Sequence, residues 1–191
     1  MAKVPAAAPL PLAKVGEKVF DSMEKIPADF LAITYGSLLR QMLADANDKP
    51  EAVNEQLDAM GVRIGQRLVE EFAARSGLPP CKNFQSTAEA IAKVGLKMFL
   101  GITATVENLT AEQYSLVFDT NPLAQFVELP DTLKSTLWYS AILAGAIRGA
   151  LSQVGILCDV TFARDTLRGD ETNEIRIRYK ARAKETFKTT D

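Results

Sequence analysis

Histidine is absent from this chain of 191 residues. Its absence removes Ser–His and Cys–His nucleophile activation, imidazole acid–base catalysis and histidine metal ligation. Cysteine is nearly as scarce. Cys81 and Cys158 stand too far apart for a zinc motif and are too few for a disulfide framework, which fits a reducing compartment. There is no glycine-rich phosphate loop and no carboxylate pair whose spacing argues for acid–base work. The formal net charge is only −2, so no basic field points to nucleic acid, and none is expected as a partner. Long apolar runs are also wanting. Residues 137–157 come nearest to a membrane span, but Arg148 sits mid-run, where a charge costs ~2.5–3.5 kcal/mol on insertion scales. Ser140, Ser152 and Gln153 weaken that reading further, leaving a central helix buried on several sides.

What the chain does have is enough apolar residue, 47%, for the core of one domain, expected over residues 26–184 with a tail at 185–191. Residues 1–25 begin MAKVPAAAPLPL. Pro5, Pro9 and Pro11 interrupt the run, which matches a signal peptide poorly and reads as a flexible Ala/Pro-rich extension. The sequon Asn108-Leu109-Thr110 is then a chance match.

Helical spacing recurs in four places. A first helix opens near Asp29 and buries Leu31, Tyr35, Leu38 and Met42. A second opens at Asp48 with Glu51 three residues on and Pro50 in its first turn, then carries Val53, Leu57, Met60, Ile64, Leu68 and Phe72 to a stop at Gly77. Within it Gly61 and Gly65 cost ~1 kcal/mol each against alanine, which points to close approach by another backbone. A third opens at Ser86 with Glu89 as capping box; Ala88, Ala92 and Gly95 form a small-residue strip, and Glu89, Lys93 and Lys97 the polar side. A fourth runs over residues 131–153 with Leu133, Leu137, Ala144, Ile147 and Leu151 inward, and Gly145 and Gly149 again permit close approach.

Strands are expected at residues 102–106 and 114–119 around a hairpin loop, and in two closing segments. In one, Ile156, Cys158, Val160 and Phe162 alternate with Leu157, Asp159, Thr161 and Ala163, so Cys158 falls on an apolar face and is a small core residue. In the other, Ile175, Ile177 and Tyr179 alternate with Arg176, Arg178, Lys180, Arg182 and Lys184, and Arg168-Gly169-Asp170 makes the turn between them. The segment LAQFVELP (123–130) has bulky apolar residues in a loop, which pack either on this chain or on a neighbour. The expected fold class is α+β: a four-helix layer packed with a four-stranded antiparallel sheet.

Two features carry possible function. Cys81, in the proline-stiffened loop after Gly77, is the one reactive candidate, with Lys82 beside it to favour thiolate; the alternative is an inert thiol. The basic strand face, Arg176, Arg178, Lys180 and Arg182, is either a solvated face or a contact for anionic lipid or acidic protein, at ~1 kcal/mol per charge near an anionic bilayer.

Several stretches, in order, resemble one family: FLAITYGSLLRQ (30–41), MGVRIGQRLVEEFAAR (60–75), the Cys81 loop, IAKVGLKMFLGIT (91–103), NPLAQFVELP (121–130), LWYSAILAGAIRGAL (137–151) and DTLRGDETNEIRIR (165–178). They are similar to the small core subunit of the TRAPP vesicle-tethering complex, of the blocked-early-in-transport type three. The resemblance implies an α/β plait with helices on one side of the sheet. It implies a cytoplasmic protein, peripheral on cis-Golgi and ER–Golgi membranes, that homodimerises or pairs with other TRAPP subunits through its helices. It further implies a part in ER-to-Golgi tethering, within a core that is an exchange factor for a Rab-type GTPase, and no enzyme activity of the subunit alone. No metal or other cofactor is implied apart from a palmitoyl chain. By the same resemblance Cys81 carries that chain as a thioester, in an apolar tunnel lined at Ala88, Ala92 and Gly95, with Lys97 near the cysteine. The competing readings are a stand-alone lipid- or small-ligand-binding module of similar fold, for which haem is unsuited without a histidine, and a cysteine-dependent transferase, which lacks a base.

Overall fold

The computed structural model describes residues 11–47 and 49–183. Its sheet has the order β1-β2-β4-β3, antiparallel throughout, with β1 at Thr105–Glu107, β2 at Gln113–Phe118, β3 at Ile156–Arg164 and β4 at Asn173–Arg182. Alternation decides which face is inward. Tyr114, Leu116, Cys158, Val160, Ile175 and Ile177 are buried on one side, as expected for a sheet with a single covered face. Tyr179 departs from the expected pattern. It is about one-third exposed, with Phe84 packed against its ring.

The helices are α1 (Leu12–Ser22), α2 (Ala28–Asp45), α3 (Pro50–Ser76), α4 (Phe84–Glu89), a π-helical segment (Ala90–Gly95), α5 (Leu96–Leu100), α6 (Asp131–Lys134) and α7 (Ala141–Gln153). The fold is α+β. A helical layer covers the sheet, with one core between sheet, α4–α5 and α7 and a second among α2, α3 and the loop before α6.

The glycines of α3 and α7 do what their cost suggested. A Cβ on Gly61 would lie 2.8 Å from Ala146 N, and one on Gly149 2.8 Å from the Val62 carbonyl carbon, so the two backbones touch with nothing between them. Arg148 lies at this crossing and pairs with Asp58 of α3, which settles the charge that a membrane span could not have carried.

Four expectations need correction. Residues 12–22, read as flexible, form α1, whose Gly16 and Val19 are buried; Gly16 seats the helix directly on the backbone of Lys93 and Val94. In α2 it is Leu39, not Leu38, that turns inward with Ala32, Tyr35 and Met42. In α3, Ile64 is exposed where Gly61 and Gly65 are buried, because contact with α7 is made by the glycines. The fourth helix is broken into α6 and α7. Asn54 of α3 donates to Thr136 O and accepts from Trp138 N, both at 2.8 Å, and the Tyr35 hydroxyl donates to Tyr139 O. These side chains take backbone groups that a continuous helix would have used. The cap expected at Asp48 lies outside the described residues; α3 begins at Pro50 after Lys49, whose side chain does not cap it.

Loop 123–130 divides between its two readings. Leu123 and Leu129 are buried on the chain's own core, while Phe126 is exposed.

Candidate acylation site and its surroundings

Gly77, in the left-handed conformation, stops α3, and Pro79-Pro80 keeps the chain extended up to Cys81. Asn83 then caps α4. Its side chain accepts from Ser86 N at 2.9 Å and Ser86 Oγ accepts from Asn83 N at 3.2 Å, so Ser86 is the third residue of the capping box rather than the cap that the sequence suggested. The same turn brings Ser86 O to 3.7 Å from the Cys81 sulfur, a weak S–H donor contact.

Cys81 is exposed as a residue, yet its sulfur is turned toward the protein. Burial pushes the thiol pKa up, and the Ser86 side chain opposes that in part. Lys82 is exposed. An acyl donor would therefore meet a thiol with little thiolate at neutral pH.

Beneath Cys81 lies an aromatic corner that the sequence reading missed. Phe84 packs against Tyr114 at 4.8 Å and Tyr179 at 5.5 Å between ring centroids. The Tyr114 hydroxyl shares a hydrogen bond of 2.9 Å with Thr87, and burial raises its pKa. Cys158 of β3 stands opposite Tyr179 in the β3–β4 ladder. The signal in the sequence was Phe84 itself, an apolar residue at the first helical position beside the cysteine. Cys158 is a buried core thiol, its pKa raised to about 11 by burial.

The small-residue strip runs from this corner along the helix. Ala88 and Ala92 have no accessible surface and join Phe84, Leu96 and Tyr114 in the core. Gly95 is different: a Cβ there would meet nothing nearer than Ala90 O at 3.8 Å. Ala90–Gly95 is π-helical, a widened turn frequent at functional sites. The wall is apolar and suits a hydrocarbon chain, and Gly95 leaves room. At Ala88 and Ala92 the packing is closed, so a chain running there would displace its neighbours. Two clefts lie elsewhere, one between α1 and the end of α3, the other against β3.

Lys97 is not at the cysteine. It lies thirteen positions beyond Phe84 on one helical run, ~20 Å at 1.5 Å per residue. Its ammonium is 3.4 Å from Gly101 O and 4.9 Å from the centroid of the Phe20 ring of α1.

The basic strand face is half neutralised. Arg176 pairs with buried Glu174 at 3.0 Å, and Lys180 with Asp159 at 2.6 Å. Arg178 and Arg182 are exposed without ion pairs among the described residues, and Lys184 lies outside them. On α2, Phe30 and Ile33, one turn apart, are each about two-thirds exposed, and Leu38 is exposed on another side of the helix; Ile64 of α3 is also exposed.

Helices on one face of an antiparallel sheet, Cys81 in the loop ahead of α4 and exposed apolar residues on α2 make up the candidate site. The sequence profile described as Transport protein particle (TRAPP) component matches residues 31–178. The chain belongs to the TRAPP component family. It is 45% identical over 174 residues to transport protein particle subunit bet3 of Schizosaccharomyces pombe, covering 90% of this chain and 94% of that one. It is 47% identical to trafficking protein particle complex subunit 3 of Dictyostelium discoideum over 166 residues, 86% and 89% of the two chains. Among solved structures, a trafficking protein particle complex subunit 3 from Naegleria fowleri, covalently bound to palmitic acid, superposes with a TM-score of 0.81 at 48% identity, covering 85% of this chain and all of that one.

Proposed function

We propose that this chain is a TRAPP complex subunit of ER-to-Golgi vesicle tethering that carries a palmitoyl thioester on Cys81. The observation that carries the reading is the position of Cys81, an accessible thiol whose sulfur lies 3.7 Å from Ser86 O, in the loop that leads into Phe84 and the Ala88–Ala92–Gly95 strip. A relative of 48% identity holds covalent palmitic acid, which supports the same chemistry here. A palmitoyl chain leaving water gains ~0.8 kcal/mol per methylene. Stored against the apolar helix wall it would be part of the core, not an anchor. Lys82 lies next to Cys81 at the mouth of the site.

The subunit acts by binding. Phe30 and Ile33 on α2 supply an apolar surface for a second copy or a related subunit, and in the assembly the chain contributes to exchange on a Rab-type GTPase. It resides in the cytoplasm, peripheral on Golgi and ER–Golgi membranes, with Arg178 and Arg182 as the charges free to meet an anionic surface.

Intact mass of the protein purified from eukaryotic cells tests the acylation. The expected result is one palmitoyl increment, removed by hydroxylamine and missing from Cys81→Ser. An increment that survives in Cys81→Ser places the acyl group elsewhere, and a bare wild-type chain defeats the acylation reading. Affinity purification tests the assembly: recovery of other TRAPP subunits supports it, and their absence counts against it.

A further inference from the structure

Among the described residues the sheet has an open side at β3, which pairs there with β4 alone. Among the described residues, no hydrogen bond outside the β4 ladder reaches the backbone of Ile156–Arg164. A cleft of about 250 Å³ touches Val160, Thr161 and Phe162, three consecutive residues of this strand. Successive side chains of a strand point to opposite faces, so a cleft that meets three in a row lies along the backbone edge.

The far wall of the cleft has a different chemistry. Its apolar part is Trp138, Ala141 and Ala144; its acidic part is Glu55 and Asp58 on α3. Asp58 is engaged by Arg148. Glu55 is exposed and has no ion pair among the described residues. An apolar slot with one free carboxylate at its rim suits a long aliphatic stem that ends in a cation. Unpaired backbone beside such a slot is the arrangement by which extended peptides are recognised: the strand edge supplies main-chain hydrogen bonds and the pocket selects a side chain.

We propose that β3 receives an extended segment of a partner polypeptide as an added strand, with an arginine of that segment lying in the cleft and its guanidinium at Glu55. A second copy of this chain is a poorer occupant. Its own β3 would offer Leu157, Asp159 and Thr161, with no free cation, since Arg164 is held by Glu174.

The test uses the full-length protein and a fluorescent nonapeptide of alternating threonine and valine with a central arginine, beside the same peptide with a central glutamate. Anisotropy should show saturable binding of the arginine peptide, and hydrogen exchange of the β3 amides should slow in its presence. Glu55→Arg, at an exposed position, should weaken that peptide at least about tenfold and reverse the preference toward the glutamate peptide. Exchange of residues 156–164 unchanged at millimolar peptide would overturn the proposal. So would protection indifferent to Glu55→Arg.

Discussion

Gly149 of α7 and Val62 of α3 are in backbone contact: one added methyl group on the glycine would lie 2.8 Å from the valine carbonyl carbon and closer still to its oxygen. Gly65 stands in the same relation to Ala146 and Ala150.

Substitution at this crossing should be costly. Gly149→Ala and Gly65→Ala are each expected to lose ~1–3 kcal/mol or more through overpacking, read as a fall in Tm of roughly 2–4 °C per kcal/mol for a chain of this size. Gly95→Ala is the control. With no atom closer than 3.8 Å to the new Cβ, it should hold or gain up to ~1 kcal/mol. Urea denaturation of the three variants checks this; equal losses at all three sites would contradict the close crossing.

A large side chain at Gly95 should compete with the acyl chain for its space. Gly95→Leu is expected to lower the palmitoylated fraction several-fold in cell-derived protein while the protein still folds cooperatively. Intact mass beside a urea melt separates the two effects, and wild-type occupancy in Gly95→Leu would remove Gly95 from the acyl path.

Glu174 makes stability depend on acid. Burial alone would raise its pKa, but hydrogen bonds from Ser115 at 2.7 Å, Arg176 at 3.0 Å and Arg164 at 2.9 Å outweigh that and hold it below the ordinary value of 4.5. A carboxyl depressed on folding contributes stability that is present above its unfolded pKa and lost as pH falls through the folded one. Glu174→Gln should therefore cost ~1.5–3 kcal/mol near neutrality, with the difference from wild type closing below pH ~4. A gap that is constant across pH would assign the loss to packing alone.

Asn54 ties α3 to the turn before α7 with both ends of its amide. Asn54→Ala leaves Thr136 O and Trp138 N without those partners and should cost ~2–3 kcal/mol. Near-ultraviolet dichroism should also change, because Trp138 is stacked on Phe162 at 6.1 Å and covered by Arg168 at 3.9 Å. A silent substitution would show that the turn holds itself.

The parts of the fold legible in the sequence are those fixed by local pattern. The alternation at Ile156, Cys158, Val160 and Phe162 is the buried face of β3, and the paired glycines at 61/65 and 145/149 are the helix crossing. What escaped was set by distant partners. Nothing between Asp131 and Gln153 announces a break, since the break is made by Asn54 and Tyr35. Leu38 and Leu39 are equivalent by composition, and only the placement of α2 decides which is covered. At the site, Cys81 could be singled out from its loop and Ala88 from its spacing. The Tyr114 and Tyr179 rings come from strands far along the chain, and no periodicity joins them to a cysteine. The position of Lys97 followed resemblance rather than helix length.

The helix from Phe84 to Leu100 is buried at Ala88, Ala90, Ala92, Val94, Leu96 and Met98, at alternate positions rather than on one stripe, because α1 lies on the side away from the sheet. The link from α1 to α2 is exposed at Glu24, Lys25, Ile26 and Pro27. A protease nick there would break the covalent tether while Gly16 and Val19 kept the severed helix seated. The cut would show on a denaturing gel and leave native migration unchanged.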